Sequence, residues 1–416
     1  MNAKLPISAF WILGFLLFMA IFRDLIANGR PLYCQIGGEI YWPGLRTIWV
    51  PENTPYKADA LRRLQNSVHA LEAWKSPSNY DFPPVFAPIP FSPGENSSLN
   101  TGVFEKPGSV HPGLQARFIH WLGTDAEGRD VAATVVSGAR IALITGALAM
   151  AVALLIGLSL GMVAGFFGDD QWQVMRGQVL FFFLGLPVAW FYAVTVRFYA
   201  LDTANAFVVI GHGIGVFLVV MFVFNRLGWG LRRVPYLSKR FSFPVDTLVM
   251  RMAEVFSSIP RLVLIIVMAV AMRGFTQATI WVMIALIGGF GWTGVAKLVR
   301  AELLRVRTLD YILAARGLGM SEWRVLLRHA LPNTLRAVFI TVSFGAAGAV
   351  LLESYLSFLG FGGQAFRGIS WGSLFFNENS TANPLDTWWV TLFPGTMIFI
   401  TVLSLNRVGE FLSDRP

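Results

Sequence analysis

Carboxylates, a guanidinium and two glycines crowd the run Gly123-Thr124-Asp125-Ala126-Glu127-Gly128-Arg129-Asp130. Such a set could suggest an active site. Its spacing favours a structural loop instead. Glycines set turns, and an arginine beside carboxylates forms a strong, oriented pair that locks the start of a following helix. Gly123, Asp125, Gly128, Arg129 and Asp130 are the residues of that loop. Glu353 is the other conspicuous ionisable group, near the end of a long apolar run. A carboxylate there is costly unless it faces protein or water. It either lines a solute path or pairs with a neighbour. Arg197 and Arg261, near other apolar runs, either snorkel or pair. His212 sits between Gly211 and Gly213 with no second ligand at metal spacing, so it reads as a packed or water-facing histidine. Cys34 is the sole cysteine, which excludes an intrachain disulfide. No phosphate-binding loop, zinc-protease motif or nucleophile elbow occurs. The expectation is no catalytic residue, no metal and no cofactor.

A different segment carries more information. Residues 308–333 are charged and helix-forming, yet lie between apolar spans. Tyr311, Ala314, Ala315 and Leu318 fall on one helical face. Gly317 and Gly319 then permit a turn. Ser321 is a good N-cap, and Glu322 suits the positive end of a second helix. Trp323, Leu326, Leu327 and Ala330 form that helix's face, and Pro332 is expected to end it. The product is an elbow with an apolar side and a basic side of Arg316, Arg324 and Arg328.

The elements around these residues follow from composition. Of 416 residues, 55% are hydrophobic and 14% charged. Apolar runs near membrane-spanning length recur, giving roughly eight spans. The net charge of +9 points less to nucleic acid than to orientation, because Arg226, Arg232, Arg233, Lys239 and Arg240 cluster between spans. The first run reads as a retained span within residues 1–27, not a signal peptide, since no convincing cleavage site follows. Residues 28–137 are polar and rich in proline and aromatics, with a helical stripe of Leu61, Leu64, Val68 and Leu71 inside Lys57 to Trp74. Asn96-Ser97-Ser98 has the form of a glycosylation acceptor, a motif too short to carry weight. A second span covers residues 138–170. Two further runs and a basic linker occupy residues 171–245, and the remaining spans lie within 246–416. With the basic linker and the elbow both cytoplasmic, counting spans from either puts both termini in the cytoplasm and residues 28–137 outside.

The elbow resembles the EAA loop of ABC-importer permeases. Ala314, Ala315, Gly319, Leu331 and Pro332 fill family positions, with Leu313 in the Glu slot and His329 in the Ile slot. Both departures, and the preceding Asp310-Tyr311, are similar to the peptide and nickel branch. His120 to Asp130, then Ser137-Gly138-Ala139-Arg140, resemble that branch's C-type subunit before its second span. Asp246 to Pro260, Glu353 to Gly362, Ser370-Trp371-Gly372, Trp389 and Phe393-Pro394-Gly395 resemble it further along. The long stretch after the first span is similar to microcin C importers. One departure stands out: residues 171–245 intervene where the family usually continues directly. An even number of added spans keeps the elbow on its original side.

The resemblance implies an all-α polytopic membrane protein, with a type I ABC-importer permease core of six spans, a two-span insert and a large extracytoplasmic region. It implies a permease subunit moving peptides or peptide-like solutes across the inner membrane of a bacterial cell. It further implies coupling to ATPase subunits through Asp310, Leu313, Ala314, Ala315, Gly319, His329, Leu331 and Pro332. The implied partners are a homologous permease subunit, two ATP-binding cassette subunits, an extracytoplasmic solute-binding protein and the bilayer, with no nucleic acid. The alternatives are a secondary transporter, or a membrane scaffold presenting residues 28–137.

Overall fold

The computed structural model describes residues 6–50, 54–67, 70–95, 102–169, 173–196, 206–271, 279–361, 369–375 and 385–414. They fall into two compact units, Met1–Ser159 with Ala253–Pro416, and Leu160–Met252.

The first unit opens with α1 (Ile7–Ile21) and α2 (Arg23–Ile26). β1 (Cys34–Ile36) then pairs antiparallel with β2 (Glu39–Tyr41), Cys34 opposite Tyr41. Helix α3 (Pro43–Trp49) follows. The single helix expected over Lys57 to Trp74 is two, α4 (Asp59–Gln65) and α5 (Ala70–Lys75). Asn66 closes α4, and Asn and Ser favour local turns over helix continuation. Leu61, Leu64 and Leu71 are buried as the stripe requires. Val68 and the Asn96-Ser97-Ser98 motif lie outside the described residues. Cys34 is fully buried in a cluster with Tyr56, Leu61, Leu64 and Trp74, and burial pushes its thiol up to about 11. It is thus a core residue and not an accessible thiol. A short ribbon of β3 (Ser109–Val110) and β4 (Ile119–His120) completes this region.

Helix α6 runs Val131–Met162, starting well before the expected residue 138. The cause is Asp130, whose carboxylate accepts the Ala133 N–H at 2.6 Å and caps the helix. Ser137 to Arg140 therefore stand on the helix, not ahead of it. A wider π-turn, Val163–Phe167, ends the span at Gly168.

In the second unit, β5 (Gln173–Met175) leads into α7 (Arg176–Ala193). Helix α8 (Ala206–Gly230) returns alongside it. A Cβ on Gly177 would sit 2.9 Å from the Gly228 carbonyl, one on Gly185 2.7 Å from the Phe224 ring, and one on Gly213 2.9 Å from the Ala193 carbonyl. These near-contacts define an antiparallel hairpin held by close backbone approach. β6 (Arg240–Ser242) pairs with β5 and closes its base.

Helix α9 (Val245–Ser258) leads back into the first unit. There follow α10 (Arg261–Ala271), α11 (Thr279–Gly289), α12 (Trp292–Val306), α13 (Asp310–Gly317), α14 (Glu322–Val325), α15 (Leu331–Phe358) and α16 (Trp388–Asp414). Among the described residues, six helices are long and apolar enough to cross a membrane, and α1 is a shorter apolar helix. The two predicted runs of the insert are among the six. The first of the spans expected within 246–416 appears as α10, short of spanning length within the described residues.

Candidate functional site

The elbow is built by α13, α14 and the start of α15. Helix α13 ends at Leu318 with Gly319 at φ 78°. The Gly319 N–H donates to the Arg316 carbonyl at 2.9 Å, and the Met320 N–H to the Ala315 carbonyl at 3.3 Å. This paired cap needs a left-handed residue, which glycine supplies without strain. Ser321 stands at the N-cap of α14, but its hydroxyl makes no capping bond. Glu322 reaches back to Arg316 at 3.0 Å and stiffens the bend.

Pro332 does not end the second helix, contrary to the expectation. Between α14 and α15 the chain widens into a π-turn, Leu326–Ala330, and the helix runs on from Glu322 to Phe358. Widening the turn ahead of the proline lets the chain continue despite the missing N–H and the ring's bulk. The elbow is thereby fused to a membrane-crossing helix.

The expected apolar faces are split. Ile312, Ala315, Val325, Leu326 and Ala330 turn inward and are buried. Tyr311, Leu313, Leu318, Trp323 and Leu327 turn outward, Leu318 at 84% exposure. Asp310 and Ala314 are exposed beside them, as are Pro332 and the bend residue Gly319, while His329 and Leu331 are half-buried. The inward set anchors the elbow, and the outward set is an apolar surface with Arg324 and Arg328 at its rim.

The glycine-rich loop holds a second constellation. Arg129 Nε donates to Asp125 at 2.7 Å and its guanidinium also meets Glu127. Asp125 accepts the Glu127 and Arg129 N–H groups at 3.0 and 2.9 Å. Burial holds the Glu127 carboxyl above its usual range. A Cβ on Gly123, itself at φ 79°, would stand 2.7 Å from the Trp389 indole nitrogen. That nitrogen donates to the Thr124 carbonyl at 3.0 Å. The loop is thus a socket for Trp389 of α16. Its carboxylates are spent on the backbone, on Arg129 and, for Asp130, on His120.

A buried junction lies beside it. Trp371 packs against Gly138, where any side chain would collide, and its indole nitrogen donates to the Val135 carbonyl at 2.9 Å. The Ile369 N–H donates to Ser137 Oγ at 3.2 Å. Glu353 is only 2% exposed and accepts hydrogen bonds from Ser357 at 2.7 Å, from Ser354 at 3.5 Å and from Ser370. An apolar cavity of about 300 Å³ opens next to Ser354, lined also by Leu351, Tyr355, Phe358, Phe375 and Ile398.

Sequence reasoning missed one arrangement. His111 Nδ1 lies 2.9 Å from His120 Nε2, and His120 Nδ1 lies 2.8 Å from Asp130 Oδ2. His120 also stacks on Phe91 at 4.2 Å. Nothing in the spacing of His111 and His120 announces the pair, which the β3–β4 ribbon creates. Arg261 donates to the Ile287 carbonyl at 2.7 Å, and His212 is exposed on α8. Arg197 lies outside the described residues. No cluster of metal-binding side chains occurs among the described residues.

Residues 233–415 match the family described as binding-protein-dependent transport system inner membrane component. Over 368 residues the chain is 26% identical to a peptidoglycan transport system permease protein of Agrobacterium fabrum, covering 85% of this chain and 75% of that one. It is 27% identical over 295 residues to a dipeptide transport system permease protein of Bacillus subtilis, covering 71% and 67%. A putative peptide transport system permease protein of Brucella suis is 37% identical over 169 residues, covering 41% of this chain and 55% of its own length.

Proposed function

We propose, from the match of residues 233–415 to the binding-protein-dependent inner-membrane transport components, that this chain is a multi-pass permease of an ABC importer and carries peptides or peptide-like solutes. The protein is a transport component and not an enzyme. In the proposed assembly, ATP is hydrolysed on two separate cassette subunits, a homologous permease completes the pathway, and a solute-binding protein delivers cargo to the outer side.

The observation that carries this reading is the elbow's divided surface. Inward residues fix it, and Tyr311, Leu313, Leu318, Trp323 and Leu327 present apolar area outward where a partner can cover it. The elbow also continues without a break into a helix of 37 residues, Glu322–Phe358. At 1.5 Å per residue that helix is about 55 Å long, well beyond the ~30 Å hydrocarbon core. A force on the elbow therefore acts on a lever that reaches Glu353 and the cavity beside it. Closure of the cassette subunits would tilt this helix and alternate the pathway between its outward and inward states. In this scheme residues 28–137 and the solute-binding protein share the outer side, the termini and elbow are cytoplasmic, and Glu353 meets the pathway when α15 moves.

The test is solute-stimulated ATP hydrolysis by the reconstituted complex. Replacing Leu318 and Leu327 together by glutamate should abolish stimulation while membrane insertion is preserved. Undiminished stimulation in that variant would remove the elbow from the coupling path.

A further inference from the structure

The insert gathers positive charge at one end of an apolar hairpin. Arg226, Arg232 and Arg233 stand at the end of α8 or just beyond it, and Lys239 and Arg240 lead into β6. Arg176 begins α7, far away in sequence, but its N–H donates to the Lys239 carbonyl at 3.2 Å. The β5–β6 ribbon pairs Met175 with Arg240. The near-contact of Gly177 and Gly228 draws the two helix ends together. Six exposed cations are thereby collected over the base of the hairpin. Between Gln173 and Val245 no described residue is acidic.

Aromatic rings accompany the cations. Arg232 lies over Trp229 at 4.3 Å, Arg176 over Tyr236 at 4.9 Å and Arg226 over Phe222 at 4.9 Å. Trp229 and Tyr236 are themselves exposed. Tryptophan and tyrosine beside a spanning helix sit at headgroup depth, with arginine stems running over their rings. Above this base α7 and α8 expose Leu180, Phe183, Trp190, Leu218, Val219 and Phe222, an apolar mantle suited to acyl chains. Charge and mantle together describe an amphiphile with an anionic head.

We propose that the base of the α7–α8 hairpin binds anionic phospholipid headgroups through Arg176, Arg226, Arg232, Arg233, Lys239 and Arg240. The site recognises phosphate-bearing lipids of net negative charge over zwitterionic ones. Its action is local, tethering the hairpin to the lipid around it, and does not depend on which side of the membrane the base faces. An acidic protein surface is the competing occupant. It is disfavoured because the cations gather at the base of two apolar helices whose exposed side chains suit acyl chains.

The experiment uses the full chain in phosphatidylcholine bilayers with a trace of spin-labelled lipid. The immobilised fraction is compared for labelled phosphatidylglycerol and labelled phosphatidylcholine. One basic residue near an anionic surface contributes on the order of fivefold in binding, so a preference for phosphatidylglycerol of at least about that size is expected. High salt should erase it, because exposed charges are screened within a few ångströms there. Replacing Arg232, Arg233, Lys239 and Arg240 by glutamine should bring the preference towards unity, and lysine at the three arginines should retain it. Equal immobilisation of the two lipids by the unaltered chain would overturn the proposal without any variant. Unchanged selectivity in the glutamine variant, with loss of cassette subunits on purification, would assign the surface to a protein instead.

Discussion

Asn333 donates its side-chain amide to the Tyr311 hydroxyl at 2.8 Å and to the His329 carbonyl at 2.9 Å. The bond joins α13 to the start of α15 across the whole elbow. Together with the Arg316–Glu322 pair it ties the two arms to each other. A rigid elbow transmits a push, where a loose one would absorb it.

That rigidity should be sensitive at Gly319. A Cβ there meets nothing within 4 Å, so space is not the obstacle. The backbone is, because φ 78° costs an alanine about 1–2 kcal/mol of left-handed strain. Gly319→Ala should weaken coupling of transport to ATP hydrolysis, and Gly319→Asn, which tolerates this region, should stay close to the parent. Equal coupling in all three would mean that the cap is not needed.

The Trp371–Gly138 contact should govern assembly of the first unit. Trp371→Ala removes a fully buried indole and should cost about 3–5 kcal/mol. Trp371→Phe loses the hydrogen bond to Val135 but keeps most of the packing, so the loss should be smaller. Gly138→Val should match or exceed the alanine loss, since its side chain would occupy the indole's place. Thermal unfolding of the purified chain in detergent ranks the three.

The His111–His120–Asp130 chain gives a pH dependence with a definite sign. Burial, reinforced by His120 and Lys75, lowers His111 from 6.5 to about 4, against the opposing pull of Glu72 and Glu95. The unfolded chain therefore binds more protons than the folded one between those values, and stability falls as pH drops through that window. Hydrogen exchange around β3 and β4 should accelerate as pH is lowered from 6.5 towards 4, after correction for intrinsic rates. Asp130 also caps α6, so the loosening should extend to its first turn. His111→Phe should flatten the His111 component of this dependence.

Topology can be read with thiol reagents, but not from the native cysteine. Cys34 is buried, so protection from an impermeant maleimide carries no information about its side. In a Cys34→Ala chain, a cysteine at the exposed Trp121 should be labelled in cells with a permeabilised outer membrane. One at the exposed Tyr236 should be protected until the inner membrane is broken. The reverse pattern would invert the proposed orientation.

Much of this protein is determined by local sequence. Apolar run length is a composition property, so the long spans, including both arms of the insert, are readable without any fold. The elbow's bend is readable too, because Gly319 and Ser321 act within a single turn of chain. What Pro332 does is not local. Whether a proline ends a helix or is absorbed by a wider turn depends on packing around Leu326 and Ala330. The same holds for the faces of the elbow: periodicity finds apolar residues, but only the neighbours decide that Leu326 is buried and Leu327 exposed. Residues 123–138 lie hundreds of positions from Trp371 and Trp389, and their meeting is a tertiary fact. So are the histidine chain behind Asp130 and the gathering of Arg176 with Lys239. Each needs two strands or helices brought into register, and no spacing within one segment encodes a contact whose other half lies in another.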